Sequence, residues 1–294
     1  MLVFIGFVVV IGAIVGGYLM ERGNLMVLMQ PAELVIIAGA GLGTLLIANP
    51  MHILIDVMKG AIGTLKSSPY TKAFYIEQLR MLNGIFIYAR KNGMAKLETD
   101  LDEPEKSQLF TKYPQFLKDD HALTFFCDTV RMSISGGVAP FELDQLMELD
   151  LDVQHEGRAE SAEALSIVAD ALPGIGIVAC VLGIVITMGA LGGPPEAIGH
   201  KVAAALVGTF LGILLCYGFL APLASNMTKI GEAQGQYMQF LRLGVLAFVK
   251  GTAPSLAVEF ARRGIPLHVR PSFKETEAAI KGGGVAPPPE PEKE

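Results

Sequence analysis

The sequence predicts an all-α, polytopic membrane protein with four transmembrane helices and a helical cytoplasmic domain inserted between helices two and three. Three observations predict it. Of 294 residues, 51% are hydrophobic and only 18% are charged, too apolar a balance for an ordinary soluble chain. Four apolar runs each reach the roughly 20 residues that a helix needs to cross a bilayer. Between the second and third runs lies a long polar stretch, residues 56–165, patterned at helical spacing.

The elements follow in order. Leu2 to Met20 carries no charge. It has no basic n-region and no convincing small-x-small cleavage site of a signal peptide, so it is expected to be a retained first span. Glu21-Arg22-Gly23-Asn24 is a turn, and a second run follows Pro31, from Leu34 to about Ile55, interrupted by Asn49, Pro50 and His52 near its end. Residues 1–55 therefore hold the first two spans. In the insert, Phe74, Gln78, Met81, Leu82, Ile85, Tyr88 and Ala89 repeat at helical spacing, and Arg90-Lys91-Asn92-Gly93 ends the pattern as basic residues and glycine end helices. Met94 to Phe116 is mixed and broken by Pro104 and Pro114; Leu123–Ile134 is a helix stopped by Gly136-Gly137. Pro140 opens a long pattern through Leu143, Leu146, Met147 and Leu151 to Val168, which runs into the third span with only Gly157 as a breaker. Residues 166–225 hold spans three and four, and the fourth extends past the membrane through Lys229 to Val249. Residues 226–281 form a C-terminal cytoplasmic helical region, and the Gly/Pro/Glu-rich tail 282–294 is predicted to be disordered.

Spacing groups the spans into two hairpins with short links at about 21–31 and 192–201, which contain only Arg22 and Lys201 of the 23 Lys and Arg residues. Lys59, Lys66, Arg158 and Lys229 flank the opposite ends. The positive-inside rule then puts both termini and the insert in the cytoplasm.

The run from Asp170 to Met188 organises the chain. It opens with Pro173, Gly174 and Gly176. Proline is well tolerated at a helix start, but inside a helix it removes a donor and creates a weak point. A bend at Pro173 or Pro222 would swing a cytoplasmic mass carried on continuous helices. Gly12/Gly16, Gly39/Gly43 and Gly208/Gly212 are small-xxx-small pairs of the kind that let helices approach closely. No Asp, Glu, Lys, Arg or His lies in the central part of any span. An ion-moving protein ordinarily has such a group, so either no ion is moved or a partner supplies the titrating residue. The spans keep only small polar handles: Pro173, Cys180 and Thr187 are seven apart on one face, and Thr209 and Cys216 share another, with Tyr217 beside them. A threonine hydroxyl there serves water or an ion, or bonds back to its own helix.

Other classes are excluded on composition. A net charge of −6 gives no nucleic-acid footprint. Cys127, Cys180 and Cys216 form no disulfide framework or zinc spacing, and His52, His121, His155, His200 and His268 are scattered, without a nucleophile–base or metal pattern. No cofactor and no enzyme activity are expected. A solute permease would want a polar site or broken helices near the midplane, and the spans offer none. A purely structural scaffold stays open on the residues alone.

Ala205-Leu-Val-Gly-Thr-Phe-Leu-Gly-Ile-Leu214 followed by Pro222, Pro173-Gly-Ile-Gly-Ile-Val178, Pro254-Ser-Leu-Ala-Val-Glu-Phe-Ala-Arg262, Arg90-Lys91-x-Gly93 and Glu98 together resemble the flagellar stator branch of the MotA/TolQ/ExbB proton-channel superfamily. The resemblance spans nearly the whole chain except the tail. It implies a pentamer of this subunit in the bacterial inner membrane around a dimer of MotB, which supplies the protonatable Asp and the peptidoglycan anchor. It implies an ion pathway and gating at Pro173, Pro222, Thr209, Cys180, Tyr217 and Asp170. It also implies that Arg90 and Glu98 contact the rotor protein FliG, with Lys91, Lys96 and Glu103 nearby. Sodium-driven relatives tend to carry Thr where this chain has Cys180, and a thiol is a poor ligand for sodium, so the transported ion is expected to be the proton rather than sodium. The rival within the superfamily is an ExbB- or TolQ-like energiser of outer-membrane partners, which usually has three spans.

Overall fold

A computed structural model describes residues 2–66, 68–189, 192 and 194–281, the side chain of Ala197 excepted. The tail expected to be disordered lies outside the described residues. The described chain is all-α, with no strand among its elements. In order the helices are α1 (Leu2–Met20), α2 (Leu25–Leu28), α3 (Pro31–Ala48), α4 (Met51–Thr64), α5 (Lys72–Asn92), α6 (Met94–Asp102), α7 (Pro114–Leu117), α8 (Asp120–Ile134), α9 (Pro140–Met188), α10 (Pro195–Ile213), a π-helical segment (Leu214–Leu220), α11 (Ala221–Val249), α12 (Pro254–Arg263) and α13 (Phe273–Ile280).

Local chemistry sets many of these boundaries. Pro31, Pro114, Pro140, Pro195 and Pro254 each stand first in a helix, where the missing N–H is no loss. Thr71, Asp119 and Ser272 cap α5, α8 and α13 by accepting from Phe74, Ala122 and Glu275 N–H groups, and Glu275 completes a capping box. The second apolar run divides at Asn49 and Pro50, and α4 restarts at Met51. Pro173 is no helix start: it lies inside the 49-residue α9. Four stretches are long and apolar enough to cross a membrane, within Leu2–Met20, Leu25–Ala48, Pro140–Met188 and Ile198–Val249. They make this a polytopic membrane protein.

The described residues form two compact units, 2–68 with 156–231 and 69–155 with 232–281. In the first, α9 and α10 meet through glycine. A Cβ on Gly212 would stand 2.6 Å from the Leu172 carbonyl oxygen and 2.9 Å from Gly176 Cα; one on Gly176 would stand 2.8 Å from Gly208 O. Gly183 faces Ala205 in the same way. The Gly208/Gly212 pair is thus spent within the chain, which the spacing alone left open. A Cβ on Gly12, Gly16, Gly39 or Gly43 would meet no other element within 4 Å among the described residues, so their faces are open in the single chain. α3 packs on α9, with Gly41 against Leu172, and Ile37, Ala169, Leu172, Ala179 and Cys216 form a small core. No residue of α1 is buried by the rest of the chain, as suits an apolar helix bordered by lipid or neighbouring helices.

The second unit has a conventional core. Tyr75, Leu79, Leu82, Phe86, Phe126, Tyr237, Phe240, Leu241 and Val258 are buried within it. The Tyr237 hydroxyl donates to Gln78 Oε1 at 2.9 Å, both residues being buried. Arg242 on α11 binds Asp144 and Glu148 on α9, at 2.7 and 3.2 Å. Lys72 and Glu275 tie α5 to α13 at 2.6 Å. Burial pushes the Cys127 thiol up to about 12, so it stays a small apolar filler rather than a thiolate.

Two outcomes follow from this packing. Gly212→Val drives a branched side chain into the α9 backbone and should lower stability by about 1–3 kcal/mol or more; Gly12→Val should leave the single chain's fold intact, and thermal melts of the detergent-solubilised proteins compare them. Tyr237→Phe strips Gln78 of its donor in a buried site and should destabilise the second unit by about 1–3 kcal/mol, read from denaturant unfolding.

Candidate functional site

Two groups of residues carry the chemistry that the sequence suggests, one in each unit. In the membrane unit, Pro173 sits on α9 one residue past the Leu172–Gly212 contact. Having no N–H, it gives nothing to the carbonyl of Ala169, which is itself fully buried. Cys180 is buried, and its backbone N would stand 3.2 Å from a Cβ on Gly208, the neighbour of Thr209. The seam therefore brings Pro173, Cys180 and Thr209 onto two helices in backbone contact. Thr187, on the same face of α9, is buried and its hydroxyl donates back to Gly183 O at 2.8 Å. Thr209 is half-buried and makes no such bond among the described residues.

Past Thr209 the helix changes type. From Leu214 to Leu220 the backbone is π-helical, and Ala221 N–H donates to Cys216 O. Pro222 follows at once, without an N–H for the Gly218 carbonyl. A proline that breaks the i→i−4 ladder and a π-turn that widens it are recognised causes of local irregularity, often at functional sites. Cys216 within this segment is fully buried, whereas Tyr217 is 67% exposed. Tyr217 and Pro222 line a cleft of about 330 Å³ together with Leu2, Phe7, Val10 and Asn226. Phe7 of α1 packs on Phe219 with ring centroids 5.1 Å apart. The candidates thus divide: Pro173, Cys180 and Thr209 belong to the seam, and Tyr217 and Pro222 to the cleft. Asp170 is exposed on α9, next to buried Ala169.

In the second unit, α5 ends with Arg90 and Lys91 in its last turn, where cations complement the carbonyl end of a helix. Gly93 then turns the chain into α6 with φ 87° and ψ 158°, a conformation essentially confined to glycine. Arg90 is exposed, Glu98 is half-buried, and neither makes an ion pair among the described residues. Their neighbours are held more firmly. Leu97 and Leu101 anchor α6 in the core. Arg131 reaches the Leu101 carbonyl at 3.0 Å and Asp102 at 3.2 Å. Lys96 Nζ stands 6.0 Å over the Tyr88 ring, and Glu103 pairs with Lys106 at 2.9 Å. The Asp100 carboxylate beside Tyr88 holds that phenol above its usual range. No cluster of three His, Cys, Asp or Glu able to hold a metal occurs among the described residues.

Glu33 is a further candidate. It stands one residue before Leu34, outside the apolar run that begins there, and yet it is a buried residue of α3. Its signal was present: an acid inside the first turn of a membrane helix.

These features define a class: a polytopic, all-helical membrane protein whose central helices meet through glycine and are interrupted by proline and a π-turn. Comparison with known proteins narrows it. Residues 4–93 match the family described as motility protein A N-terminal, and residues 118–239 match the MotA/TolQ/ExbB proton channel family. Motility protein A of Escherichia coli strain K12 is 41% identical over 282 residues, covering 96% of this chain and 95% of that protein. Chemotaxis protein LafT of Vibrio parahaemolyticus is 35% identical over 274 residues, covering 93% and 96%. The solved structure of C. jejuni MotAB superposes with a TM-score of 0.73 at 19% identity, over 92% of this chain and 98% of that one. The flagellar MotAB stator complex from Bacillus subtilis gives 0.69 at 20% identity, over 87% and 92%. The chain belongs to the motility protein A family of the MotA/TolQ/ExbB proton channels.

At the α5–α6 elbow, Gly93→Ala forces a side chain into a glycine-only conformation. It should cost about 1–3 kcal/mol and loosen the Arg90–Glu98 surface, seen as faster hydrogen exchange in α6.

Proposed function

We propose that this chain is the membrane subunit of a flagellar stator, which with a MotB partner conducts protons and converts their flow into torque on the rotor. The observation that carries this reading is the 41% identity to a motility protein A across 96% of the chain, which takes in both units. In this reading five copies surround a partner dimer in the bacterial cytoplasmic membrane, with both termini and the second unit on the cytoplasmic side. The lysines and arginines beyond the long helices support that orientation. The chain does no covalent catalysis.

The partner supplies the central carboxylate. Its protonation removes a charge in a low-dielectric site and is driven by about 2.3 kcal/mol per charge per 100 mV. The residues that respond are those of the seam and the cleft. Pro173 and the segment before Pro222 lack part of their hydrogen-bond ladder, so they yield at lower energy than a regular helix. α9 and α11, which contribute residues to both units, carry the change onward. Arg90 and Glu98 meet the rotor protein FliG. Exposed pairs contribute only about 0–1 kcal/mol, which suits a surface that must engage and release repeatedly.

The proton is the ion this site suits. Sodium wants several hard oxygen ligands. Cys180 offers sulfur, which leaves the hydroxyl oxygens of Thr209 and of Thr187, the latter donating its proton to Gly183 O, as the few hard ligands.

In a strain deleted for this gene, filaments should assemble but cells should be paralysed. The wild-type chain should restore swimming that a protonophore stops and sodium removal does not. Arg90→Glu should insert normally yet rescue weakly. Normal swimming by the deletion strain, or swimming that tracks sodium, would sink the reading.

A further inference from the structure

Glu33 is the one acidic or basic side chain that is buried among the described residues, at 7% exposure. It is the third residue of α3, and the rest of that helix carries no charge. Its Oε2 has no hydrogen-bond partner among the described residues. The carboxyl fills a space in the α9–α10 seam that two glycines leave open. A Cβ on Gly208 would stand 2.6 Å from Oε2, and one on Gly183 would stand 3.4 Å from Oε1. Any larger residue at Gly208 would expel it.

Among the described residues nothing charged pairs with this group. Between Ala171 and Met188, α9 has no acidic or basic residue, and Cys180 is its one titratable side chain. α2 adds none. On α10, Lys201 lies on the face that carries Ala205 and Gly208; it is exposed and makes no ion pair among the described residues, and Glu196 and His200 stand at the exposed start of the same helix. A carboxylate withdrawn from water without a partner is strongly disfavoured, and such groups inside membrane helices mark ion and proton paths. Its place in the fold agrees. Glu33 is the third residue of α3 and Gly183 is near the end of α9, while Gly208 lies between three and four turns, about 20 Å, into α10. The carboxyl thus reaches inward from the side that carries the two short links, the outer side in the orientation proposed above.

We propose that Glu33 is a second proton-accepting residue of the ion path, supplied by this chain and not by its partner. Hydronium from the outer side gives its proton to the Glu33 carboxylate, which becomes a neutral carboxyl, and leaves as water. The carboxyl then yields that proton inward to the acceptor carboxylate on the partner helix and returns to its charged form. The inference rests on the stator reading and adds an entry group to it.

The test compares wild type, Glu33→Gln and Glu33→Asp, each co-expressed with the partner subunit in the deletion strain. Membrane yield and co-purification of the partner report assembly. Proton uptake is then measured against external pH, and infrared difference spectra of the purified complexes are recorded as pH is stepped. Glutamine fills the same space, so a purely structural role would leave uptake unchanged. The expected result is a Glu33→Gln complex that assembles, loses about tenfold or more of its uptake, as when one proton-transfer group is deleted, and shows an altered pH profile. Glu33→Asp should retain part of the uptake. A titrating carboxyl band of the wild type should be missing in Glu33→Gln and shifted in Glu33→Asp. Wild-type uptake and pH profile in Glu33→Gln would overturn the inference while leaving the stator reading intact. If Glu33→Gln fails to assemble, the infrared comparison of wild type with Glu33→Asp decides, and a titrating band that does not shift overturns it. A wild-type complex that carries no protons overturns the stator reading, and this inference with it.

Discussion

The membrane unit depends on the approach of two helix backbones. Lipid gives apolar side chains no reason to leave it, so helices in a bilayer associate through close van der Waals contact and small residues. In α9 and α10 that contact is extreme. Gly176, Gly208 and Gly212 leave no room for even one methyl group, and carbonyl oxygens of one helix lie against the Cα atoms of the other. Pro173, Cys180, Thr209 and Glu33 are placed by that seam, while Tyr217 and Pro222 belong to the cleft beside it. Cys180 lies where its backbone meets Gly208, the residue before Thr209, Cys216 is buried beside Leu172 and Ala179, and the carboxyl of Glu33 fits because two glycines make space.

A seam this tight would lock two regular helices together. The same helices carry the irregularities that relieve the lock. Pro173 takes a donor out of α9 at the seam itself, and the π-turn with Pro222 loosens the ladder just beyond it. Thr187 illustrates the opposite use of a polar group: its hydroxyl returns to its own helix and stiffens nothing outside it. Rigid contact next to weakened hydrogen bonding gives an element with a defined place to bend.

Much of this was legible in the residues, and the exceptions have physical causes. The four spans could be read because lipid demands long uncharged runs. The unbroken α9 could be read because no breaker other than Gly157 stands between Pro140 and Pro173. The stop at Gly93 followed from basic residues and a glycine, and its positive φ shows why glycine is needed. The π-turn could not be read, since it has no hydrophobic period of its own and only Pro222 hints at it. Whether Gly208/Gly212 pairs within the chain or between chains is a matter of three-dimensional partners, which spacing does not encode. Glu33 was missed because counting charges within apolar runs depends on where a run is taken to begin. Of the surface pair, Arg90 and Glu98 were found by resemblance alone; as isolated charges nothing in their spacing distinguishes them.

The structure sets Arg90 and Glu98 apart from the braced charges of their unit, a freedom they share with Lys91 beside them. Arg242, Arg262 and Arg131 are each committed to carboxylates or carbonyls that brace their own unit. Lys106 and Lys281 are paired within their own turns. Arg90 and Glu98 flank a rigid glycine elbow, on helices pinned by Ala89, Leu97 and Leu101, and remain uncommitted. A charge that is free on a firm support loses little conformational entropy when a partner arrives and breaks no internal pair to meet it. Such a surface binds weakly and lets go quickly, because each exposed contact is worth so little. A buried or bidentate pair in its place would hold longer, because its partners would be desolvated and fixed in one geometry.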